Sequence, residues 1–290
     1  MVVGAASRDI DATDSRGWRL GGTVTYASLT AARLGLHVRA LMGVDSQAAH
    51  AHELDVLRSA GVELHLVPLA HGPAFDNRQS PTGRQQHVLS PSDQLPFDAL
   101  PGAWRSPTAA LLGPVAGELG TEWAAAFDRP VLVALAAQGL LRRLKAGAPV
   151  EPLPLRRSEL TERAYAMFIS AEDVAAGSQP LRELLRAGQT LIVTDGESGA
   201  MSIRCDASGI SGRYVPPLLR RPAIDTTGAG DTFLAAWLAA RLLTGRDDWR
   251  TLTVAAAMAS LSVGRHTLED APTLADLCEV LVRLRDRHLD

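Results

Sequence analysis

Short runs rich in Val, Ile and Leu alternate along this chain with longer segments whose apolar residues recur at the helical period. This alternation is typical of βαβ units, in which parallel strands form a central sheet and helices cover its faces. The pattern predicts strands at residues 2–5, 38–42, 64–67, 109–113, 131–135, 166–169 and 190–193. It predicts helices at residues 24–34, 47–60, 117–127, 181–186, 230–243, 249–263 and 274–285. A chain of 290 residues can bury a substantial core in such an α/β fold.

The charge distribution excludes some classes of partner. The formal net charge is −3, and acidic and basic residues are interspersed along the chain. A basic surface for nucleic acid or for an anionic membrane is therefore not expected. No apolar run reaches the roughly 18 residues of a membrane span, and the first residues lack the pattern of a secretory signal. We therefore expect a cytoplasmic protein with no membrane partner.

The two cysteines, Cys205 and Cys278, are far apart and have no metal-ligand spacing, so both are expected to be reduced. Cys278 falls on the apolar stripe of the last predicted helix, which includes Leu274, Leu277 and Leu281. A residue on such a stripe faces the interior of the protein, so Cys278 is predicted to be a core residue.

The segment AIDTTGAGDTF, residues 223–233, leads through a glycine-containing turn into an apolar helix. Backbone N–H groups and the positive end of the helix dipole meet at such a turn and form an anion site. Gly228, Ala229 and Gly230 carry too little side chain to cover those N–H groups. Asp231 would lie beside a bound phosphate and could accept a proton from an attacking hydroxyl. Taken alone, the same residues also suit a tight turn whose aspartate caps the helix.

The position of Asp231 also predicts its protonation state. A helix start stabilises a nearby charge by about 0.3–1 kcal/mol, which corresponds to less than one pKa unit. Asp231 is therefore expected to stay ionised near neutral pH and to act as a weak base. Such a base is sufficient, because phosphoryl transfer through a loose transition state depends more on positioning than on base strength.

Two other phosphate-binding motifs are excluded at this turn. The dinucleotide-binding fingerprint GxGxxG fails because Phe233 stands at its third glycine. The P-loop fails because Lys145 is the only lysine, and Ala146 follows it where the motif needs Ser or Thr. The segment is thus neither a Rossmann fingerprint nor a Walker A sequence.

The stretch DTTGAGDTF, residues 225–233, resembles the signature of the PfkB, or ribokinase-like, carbohydrate kinases. The resemblance implies that Asp231 is the catalytic base and that the amides of Gly228, Ala229 and Gly230 form an anion hole. It implies a single ribokinase-like domain over residues 1–290, with a three-layer α/β/α arrangement around a mostly parallel sheet. A small β-strand lid is expected from residues near 11–22 and 63–90, and a homodimer through this lid is a further expectation.

The implied acceptor site combines the lid with the start of the first helix. GGTVTYASLTAARLG, residues 21–35, resembles the N-terminal family signature, in which the backbone of Gly21 and Gly22 approaches the substrate closely. Asp9 matches an aspartate that binds two substrate hydroxyls. Many members carry Lys where Thr23 stands and Asn where Tyr26 stands, and those side chains help to hold the sugar. Tyr26 is therefore expected at the substrate, as a departure from the family pattern.

Two further segments are similar to one branch of the family, which includes inositol-kinase-like proteins. They are FDNRQSPTGRQQHVL, residues 75–89, and AAQGLLR, residues 136–142. The resemblance implies that Asn77 and Gln138 contact the substrate. Arg142 is instead expected in an ion pair on the surface or on the lid.

The implied donor site binds ATP with Mg²⁺. VTDGESGA, residues 193–200, resembles the VTxGxxG segment that lies beside the nucleotide in the family, so Thr194, Gly196 and Gly199 are expected there. In ISAEDV, residues 169–174, Asp173 falls where the family has an acid that acts on magnesium through water. The other implied nucleotide-binding residues are Ser170, Thr226 and Gly228.

The resemblance therefore implies ATP-dependent phosphorylation of a hydroxyl group on a small sugar or cyclitol. Two alternatives remain open. A nucleoside kinase of the same fold would need an aromatic or apolar base pocket, to which Tyr26 or Phe75 could contribute. A catalytically silent binding protein is the other alternative, because Thr23, Tyr26 and Ser170 replace typical family residues.

Overall fold

The computed structural model describes residues 1–80, 83–174, 177–218, 223–245, 249–264 and 268–286. The strands in this part of the chain are β1 (Val2–Ala5), β2 (Ser7–Ile10), β3 (Trp18–Gly21), β4 (Arg39–Val44), β5 (Glu63–Pro68), β6 (Ala74–Ser80), β7 (Gly83–Ser90), β8 (Ala109–Leu112), β9 (Leu132–Ala136), β10 (Arg142–Arg143), β11 (Glu151–Pro152), β12 (Ala166–Ser170), β13 (Thr190–Thr194), β14 (Ala200–Asp206) and β15 (Gly209–Val215). The α-helices are α1 (Thr23–Arg33), α2 (Glu53–Ser59), α3 (Glu159–Arg163), α4 (Leu181–Leu184), α5 (Ala229–Thr244), α6 (Trp249–Ser262) and α7 (Leu274–Asp286).

A large sheet organises the described residues, with the strand order β15-β14-β13-β12-β9-β8-β1-β4-β5. From β13 to β5 every neighbouring pair is parallel, and the two pairs at the other edge, β13–β14 and β14–β15, are antiparallel. The carboxyl ends of the parallel strands therefore lie along the same edge of the sheet. Ligand sites of open α/β sheets form at this edge. The predicted mostly parallel α/β fold is confirmed.

Two apolar cores cover the two faces of this sheet. One is built from α1, α2, α5, α6 and α7 against the sheet, and the other from α3, α4 and the loops and 3₁₀ turns of residues 95–141. In α5, every residue from Thr232 to Ala240 is buried. Trp237 of this helix meets Phe168 of β12 edge to face, with ring centroids 5.4 Å apart. The sheet thus lies between two covering layers, as the three-layer prediction requires.

No helix in the described ranges combines the length and the apolar character that crossing a membrane requires. The last helix, α7, buries Leu277 and Val280, whereas Leu274 and Leu281 are 45% and 43% exposed. Cys278 is also exposed, so the prediction that it is a core residue is wrong. Adjacent helical residues point about 100° apart, and the buried stripe of α7 passes through Leu277 rather than through Cys278.

A second, four-stranded sheet has the order β3-β2-β6-β7 and lies where the sequence predicts the lid, so we call it the lid sheet, or lid. Its strands come from residues 7–21 and 74–90, which corrects the predicted bounds in one respect. Glu63–Pro68, predicted as part of the lid, is instead the edge strand of the large sheet, where all six residues pair in parallel with β4. Its half-buried side chains pack on the helix layer, which a lid strand could not reach.

The segment predicted as a helix at residues 117–127 contains only a 3₁₀ helix, Thr121–Ala125. Two glycines interrupt the predicted span, because Gly117 has φ of 73° and Gly120, which precedes the 3₁₀ helix, is extended with ψ of 173°. Between them, the buried carboxylate of Glu118 accepts hydrogen bonds from the backbone N–H groups of Ala5 (2.8 Å), Val115 (3.1 Å) and Ala116 (2.8 Å). The predicted helix at 47–60 is likewise divided into a 3₁₀ turn and α2.

Candidate active site

The turn that begins α5 lies at the centre of the candidate site. Gly228 precedes the helix in the left-handed conformation, with φ of 73°, and Ala229 is the first helical residue. A Cβ atom at Gly228 would lie 2.5 Å from Cγ of Tyr26, because the tyrosine ring packs directly on this glycine. Both the backbone conformation and the contact therefore require glycine here. Asp231 follows in the first turn of the helix.

The amides of this turn are not equivalent. The N–H of Ala229 donates to the carbonyl oxygen of Thr226 at 3.3 Å, and the N–H of Thr232 donates to that of Gly228 at 2.8 Å. The sequence predicts that the amides of Gly228, Ala229 and Gly230 all serve an anion. The amide of Ala229 already has a long hydrogen bond within the turn, so the Gly228 and Gly230 amides are the better donors for a ligand.

Burial changes the acid strength of Asp231. Desolvation raises the pKa of Asp231 to about 6, a side-chain hydrogen bond with Thr23 and the charge of Arg142 lower it, and the neighbouring Asp9 raises it. The sequence predicted a pKa shift of less than one unit because it considered only the helix dipole. Asp231 is ionised at neutral pH, as predicted, but it is a stronger base than expected.

Thr23 is a site residue that sequence reasoning missed. Its side chain is buried, 2% exposed, and contacts the carboxylate of Asp231 from the first position of α1. Gly113, just after β8, leaves room for it, since a Cβ atom at Gly113 would lie 2.6 Å from Cγ2 of Thr23. Thr23 appeared in the sequence only as a departure from the family pattern. Its place directly after two glycines at a helix start was the available signal.

Asp9 and the two glycines lie together, as predicted. Asp9 is 8% exposed and accepts a hydrogen bond from the hydroxyl of Ser7 at 3.1 Å. A Cβ atom at Gly21 would collide with the carboxylate of Asp9 and lie 2.7 Å from Oγ of Ser7. Gly22 has φ of 89°, and its Cβ would lie 2.8 Å from the carbonyl oxygen of Ala5. The glycines thus allow the backbone of β3 to approach the Asp9 carboxylate.

Tyr26 lies among the acidic groups of the site. Burial raises the pKa of the Tyr26 phenol above its ordinary value, Arg19 opposes this, and the carboxylates of Asp9, Asp225 and Asp231 raise it further. The phenol is therefore neutral at physiological pH. Its ring lines a small cleft with Asp225 and Thr227 of the loop before α5, and the predicted contact of Tyr26 with the substrate stays a prediction.

The register of the lid places Asn77 on the same face as Asp9. Asp9 pairs with Phe75 on β6, and Asn77 is two residues further along that strand. Residues two apart on a strand point to the same face. The side-chain oxygen of Asn77 accepts a hydrogen bond from Gln86 of β7 at 2.9 Å. Phe75 is only 2% exposed, so its ring offers little surface to a nucleoside base.

Gln138, Arg142 and Asp173 form a cluster beyond the carboxyl end of β9. Arg142 approaches Asp173 with an N–O distance of 3.7 Å, and the side-chain amide of Gln138 donates to the same carboxylate at 3.4 Å. The Arg142 side chain is only 10% exposed. It therefore forms an ion pair, as predicted, but inside the site rather than on the surface. Gln138 points to Asp173, whereas the sequence predicted contact with the substrate.

The predicted nucleotide residues lie at the ends of β12 and β13. Ser170 and Thr194 are paired in register at the carboxyl ends of these two strands. Thr194 donates to the carbonyl oxygen of Ile169 at 3.3 Å, and Ser170 accepts from the N–H of Glu172 at 3.3 Å. The turn after β13 contains the other two, Gly196 and Gly199, with φ of 46° and 93°. Thr226, also predicted at the nucleotide, is exposed in the loop before α5.

Comparison with known protein families identifies one family model that matches this part of the chain. Residues 158–274, which include the ends of β12 and β13 and the α5 turn, match the family model described as pfkB family carbohydrate kinase. This segment of the chain is therefore similar to the PfkB family. The similarity was predicted from the stretch at residues 225–233, and it is confirmed.

A solved structure shares the fold of this chain over nearly its whole length. It is described as a pyrophosphate-dependent kinase in the ribokinase family complexed with a pyrophosphate analog and myo-inositol. The two chains are 20% identical, the TM-score is 0.75, and the match covers 96% of this chain and 98% of the other. The predicted ribokinase-like fold is therefore confirmed.

Two curated proteins match parts of this chain. It is 33% identical to the ATP-dependent ribose-1-phosphate kinase of Halopiger xanaduensis over 135 residues, which are 44% of this chain and 45% of that protein. It is 30% identical to the bifunctional protein HldE of Stutzerimonas stutzeri over 264 residues, which are 85% of this chain and 51% of that protein. The chain spans about half the length of the curated relatives it matches.

The family implies magnesium, and the residue predicted to act on it is Asp173. Arg142 lies 3.7 Å from one oxygen of this carboxylate, and Gln138 donates a hydrogen bond to the other at 3.4 Å. A guanidinium close to the carboxylate also opposes a second positive charge. These contacts disfavour direct ligation of a metal ion by Asp173, and its predicted action on magnesium through water stays a prediction.

Proposed function

We propose that this chain transfers a phosphoryl group from ATP to a hydroxyl group of a small sugar or cyclitol, with Asp231 as the general base. The observation that carries this proposal is the environment of Asp231. It lies in the first turn of α5, three residues after Gly228, a position that only glycine fits. Burial raises the pKa of Asp231 to about 6. A base with this pKa accepts a proton more readily than an ordinary aspartate and remains ionised near neutral pH.

The acceptor would be held on the side of the lid. Asp9 can accept hydrogen bonds from two hydroxyl groups, and the backbone of Gly21 and Gly22 approaches without a side chain in the way. The acceptor hydroxyl would then face the carboxylate of Asp231, to which Thr23 gives a fixed orientation. The proton of the attacking hydroxyl passes to Asp231 as its oxygen attacks the phosphorus.

The negative charge of the transferred phosphoryl group would be stabilised at the start of α5. The amides of Gly228 and Gly230, together with the helix dipole, favour an anion at this position. Such donors are fixed before the reaction, so no reorganisation is needed when charge develops. Magnesium would neutralise the charge of the donor phosphates, and no residue of this chain is assigned to it.

The identity of the phosphoryl donor is tested directly. One curated relative is ATP-dependent and one structural neighbour is pyrophosphate-dependent. Turnover should be measured with ATP and Mg²⁺ and, separately, with pyrophosphate and Mg²⁺. We expect the ATP reaction to be faster by a factor of at least about ten. Faster turnover with pyrophosphate would overturn the donor assignment and leave the role of Asp231 intact.

The acceptor is tested with a panel of myo-inositol, ribose, ribose 1-phosphate, hexoses and nucleosides. Product formation by the wild-type chain is compared with formation by Asp231→Asn under the same conditions. We expect transfer to an uncharged sugar or cyclitol that the variant fails to phosphorylate. Transfer only to nucleosides would favour the nucleoside kinase. Ligand binding without any transfer would favour the silent binding protein, although the contact between Thr23 and Asp231 argues that this departure supports catalysis.

A further inference from the structure

Arg19 of the lid reaches across to the loop that leads into α5. Its NH1 group donates to Oδ2 of Asp225 at 2.6 Å, and its NH2 group donates to Oγ1 of Thr227 at 2.8 Å. Arg19 and Asp225 are separated by 206 positions in the sequence. The two hydrogen bonds use both arms of the planar guanidinium, which a lysine could not imitate. This contact connects the lid sheet directly to the segment before the glycine turn.

The contact holds Thr227 at two points. Oδ1 of Asp225 accepts the N–H of Thr227 at 2.8 Å, while Arg19 binds the Thr227 hydroxyl. Thr227 immediately precedes Gly228, whose conformation sets the direction of α5. The Arg19 and Asp225 side chains are 25% and 23% exposed, so water competes for these bonds only in part. Asp11 of the lid approaches Arg19 at 3.7 Å and adds a second carboxylate.

The charges of the group are consistent with a permanent ion pair. Burial would raise the pKa of Asp225, but the hydrogen bonds from Arg19 and Thr227 outweigh it and hold the pKa below its ordinary value. Asp225 is therefore ionised throughout the physiological range. The attraction between the lid and the loop does not depend on a proton.

Arg19 also lies next to the predicted acceptor site. In the antiparallel pair β2–β3 it stands opposite Asp9, so both side chains are on one face of the lid sheet. Two residues further along β3 is Gly21, which packs on Asp9, and α1 then begins with Thr23 at Asp231. The strand that carries Arg19 thus contributes to the acceptor side and to the support of the base.

We propose that Arg19 is a positioning residue that couples the lid to the phosphate-binding turn, so that the turn is held in its catalytic geometry only while β3 is docked on it. This inference rests on the proposed function for its consequence in catalysis. Its structural part, the coupling itself, can be measured without a substrate.

The first test is hydrogen exchange of the full-length chain, with peptides that cover residues 223–233. We expect Arg19→Gln and Asp225→Asn each to speed exchange in this segment by on the order of tenfold, and the double variant to add little. The matched control is Arg39→Gln, which removes an exposed cross-strand ion pair with Glu63 (2.8 Å) far from the turn. Unchanged exchange in residues 223–233 for both Arg19→Gln and Asp225→Asn would overturn the coupling.

The second test is kinetic and uses whichever acceptor the panel identifies. Misplacing the turn should lower kcat about 10- to 100-fold and change the KM for the acceptor by less than about threefold. Arg19→Lys should fall between wild type and Arg19→Gln, because it keeps one hydrogen bond. A rise in KM with unchanged kcat would instead make Arg19 a substrate-binding residue. If no acceptor is found, the exchange result alone decides the coupling, so the two proposals can fail separately.

Discussion

The two sides of the candidate site are built differently. The acceptor side, which consists of Asp9, Gly21, Thr23, Gly228 and Asp231, is largely buried, and its glycines lie against side chains from distant parts of the chain. The donor side consists of Ser170, Asp173, Thr194, Gly196 and Gly199. Ser170 and Thr194 bond to a neighbour in sequence or on the adjacent strand, Asp173 contacts the more distant Arg142 and Gln138, and residues 195–198 are exposed. The predicted acceptor side is therefore the more enclosed of the two, and the predicted donor side is the more open.

The largest expected effect comes from removing the base. Asp231→Asn should lower kcat by a factor of about 10² to 10⁴, because no positioned base then takes the proton of the attacking hydroxyl group. Initial rates at saturating donor and acceptor measure this. Asp195→Asn, an exposed carboxylate beside the donor side, is the control and should retain most of the activity. Near-normal turnover of Asp231→Asn would contradict the assignment of Asp231 as the general base.

The same variant tests whether the loss is catalytic rather than structural. Folding raises the pKa of Asp231, so the ionised form opposes folding above a pH of about 6, and this cost disappears as the carboxyl group is protonated at lower pH. A neutral asparagine avoids the cost. The melting temperature of Asp231→Asn at pH 7.5 should therefore be equal to or higher than that of wild type, and a marked decrease would indicate structural damage.

The next largest effect is on the stability of the fold and comes from removing the buried carboxylate of Glu118. Glu118→Ala leaves the buried N–H groups of Ala5, Val115 and Ala116 without their acceptor, and should lower the free energy of unfolding by about 3 kcal/mol or more. Denaturant unfolding measures the change. Glu122→Ala, an exposed glutamate of the following 3₁₀ turn, should change it by less than about 0.5 kcal/mol. Equal effects of the two variants would contradict the role of Glu118.

Substituting one glycine on each side of the site compares the two sides directly. Gly228 and Gly196 both have positive φ, but an added Cβ meets the Tyr26 ring only at Gly228 and meets nothing within 4 Å at Gly196. Gly228→Ala should lower kcat about 10- to 100-fold because the turn must move. Gly196→Ala carries only the backbone strain of about 1 kcal/mol and should lower kcat by less than about threefold. The distinction between the two sides fails if both variants lose activity equally.

The smallest effect is a change in the pH profile. Asp231 must be ionised to accept a proton, so kcat/KM should fall about tenfold per pH unit below pH 6. The hydrogen bond with Thr23 lowers the pKa of Asp231, and Thr23→Val should therefore move this acidic limb to higher pH by about half a unit or more. Thr194→Val, on the donor side, should leave the limb where it is. A limb that moves to lower pH in Thr23→Val would contradict the assignment.

The sequence predicted those parts of the site that are local. The glycine turn, the start of α5 and the place of Asp231 follow from 11 consecutive residues, because turn conformation and helix start are short-range properties. The seven parallel strands were predicted for the same reason, since buried strands have a continuous apolar pattern. Asp9, Gly21 and Gly22 were found through the resemblance to a family.

The contacts that the sequence did not predict join distant parts of the chain. Thr23 and Asp231, Arg19 and Asp225, and Arg142 and Asp173 meet only after the sheet and the lid have formed. The helix predicted at residues 117–127 is absent for a local reason. Its apolar spacing is helical, but Gly117 has φ of 73° and Gly120 is extended, so the backbone leaves the helical conformation twice within the span. The raised pKa of Asp231 was missed because burial cannot be determined from the neighbouring residues alone.

Gly113 shows how far the demands of the site extend beyond the residues that would touch a ligand. It lies just after β8. Because Gly113 has no side chain, the Thr23 methyl group can pack against it, and a Cβ atom at Gly113 would lie 2.6 Å from Cγ2 of Thr23. In a library of all single substitutions, position 113 should therefore tolerate replacement as poorly as Asp231 does. The positions that tolerate no substitution should therefore include Gly113, which supports the base through Thr23, as well as Asp231 itself.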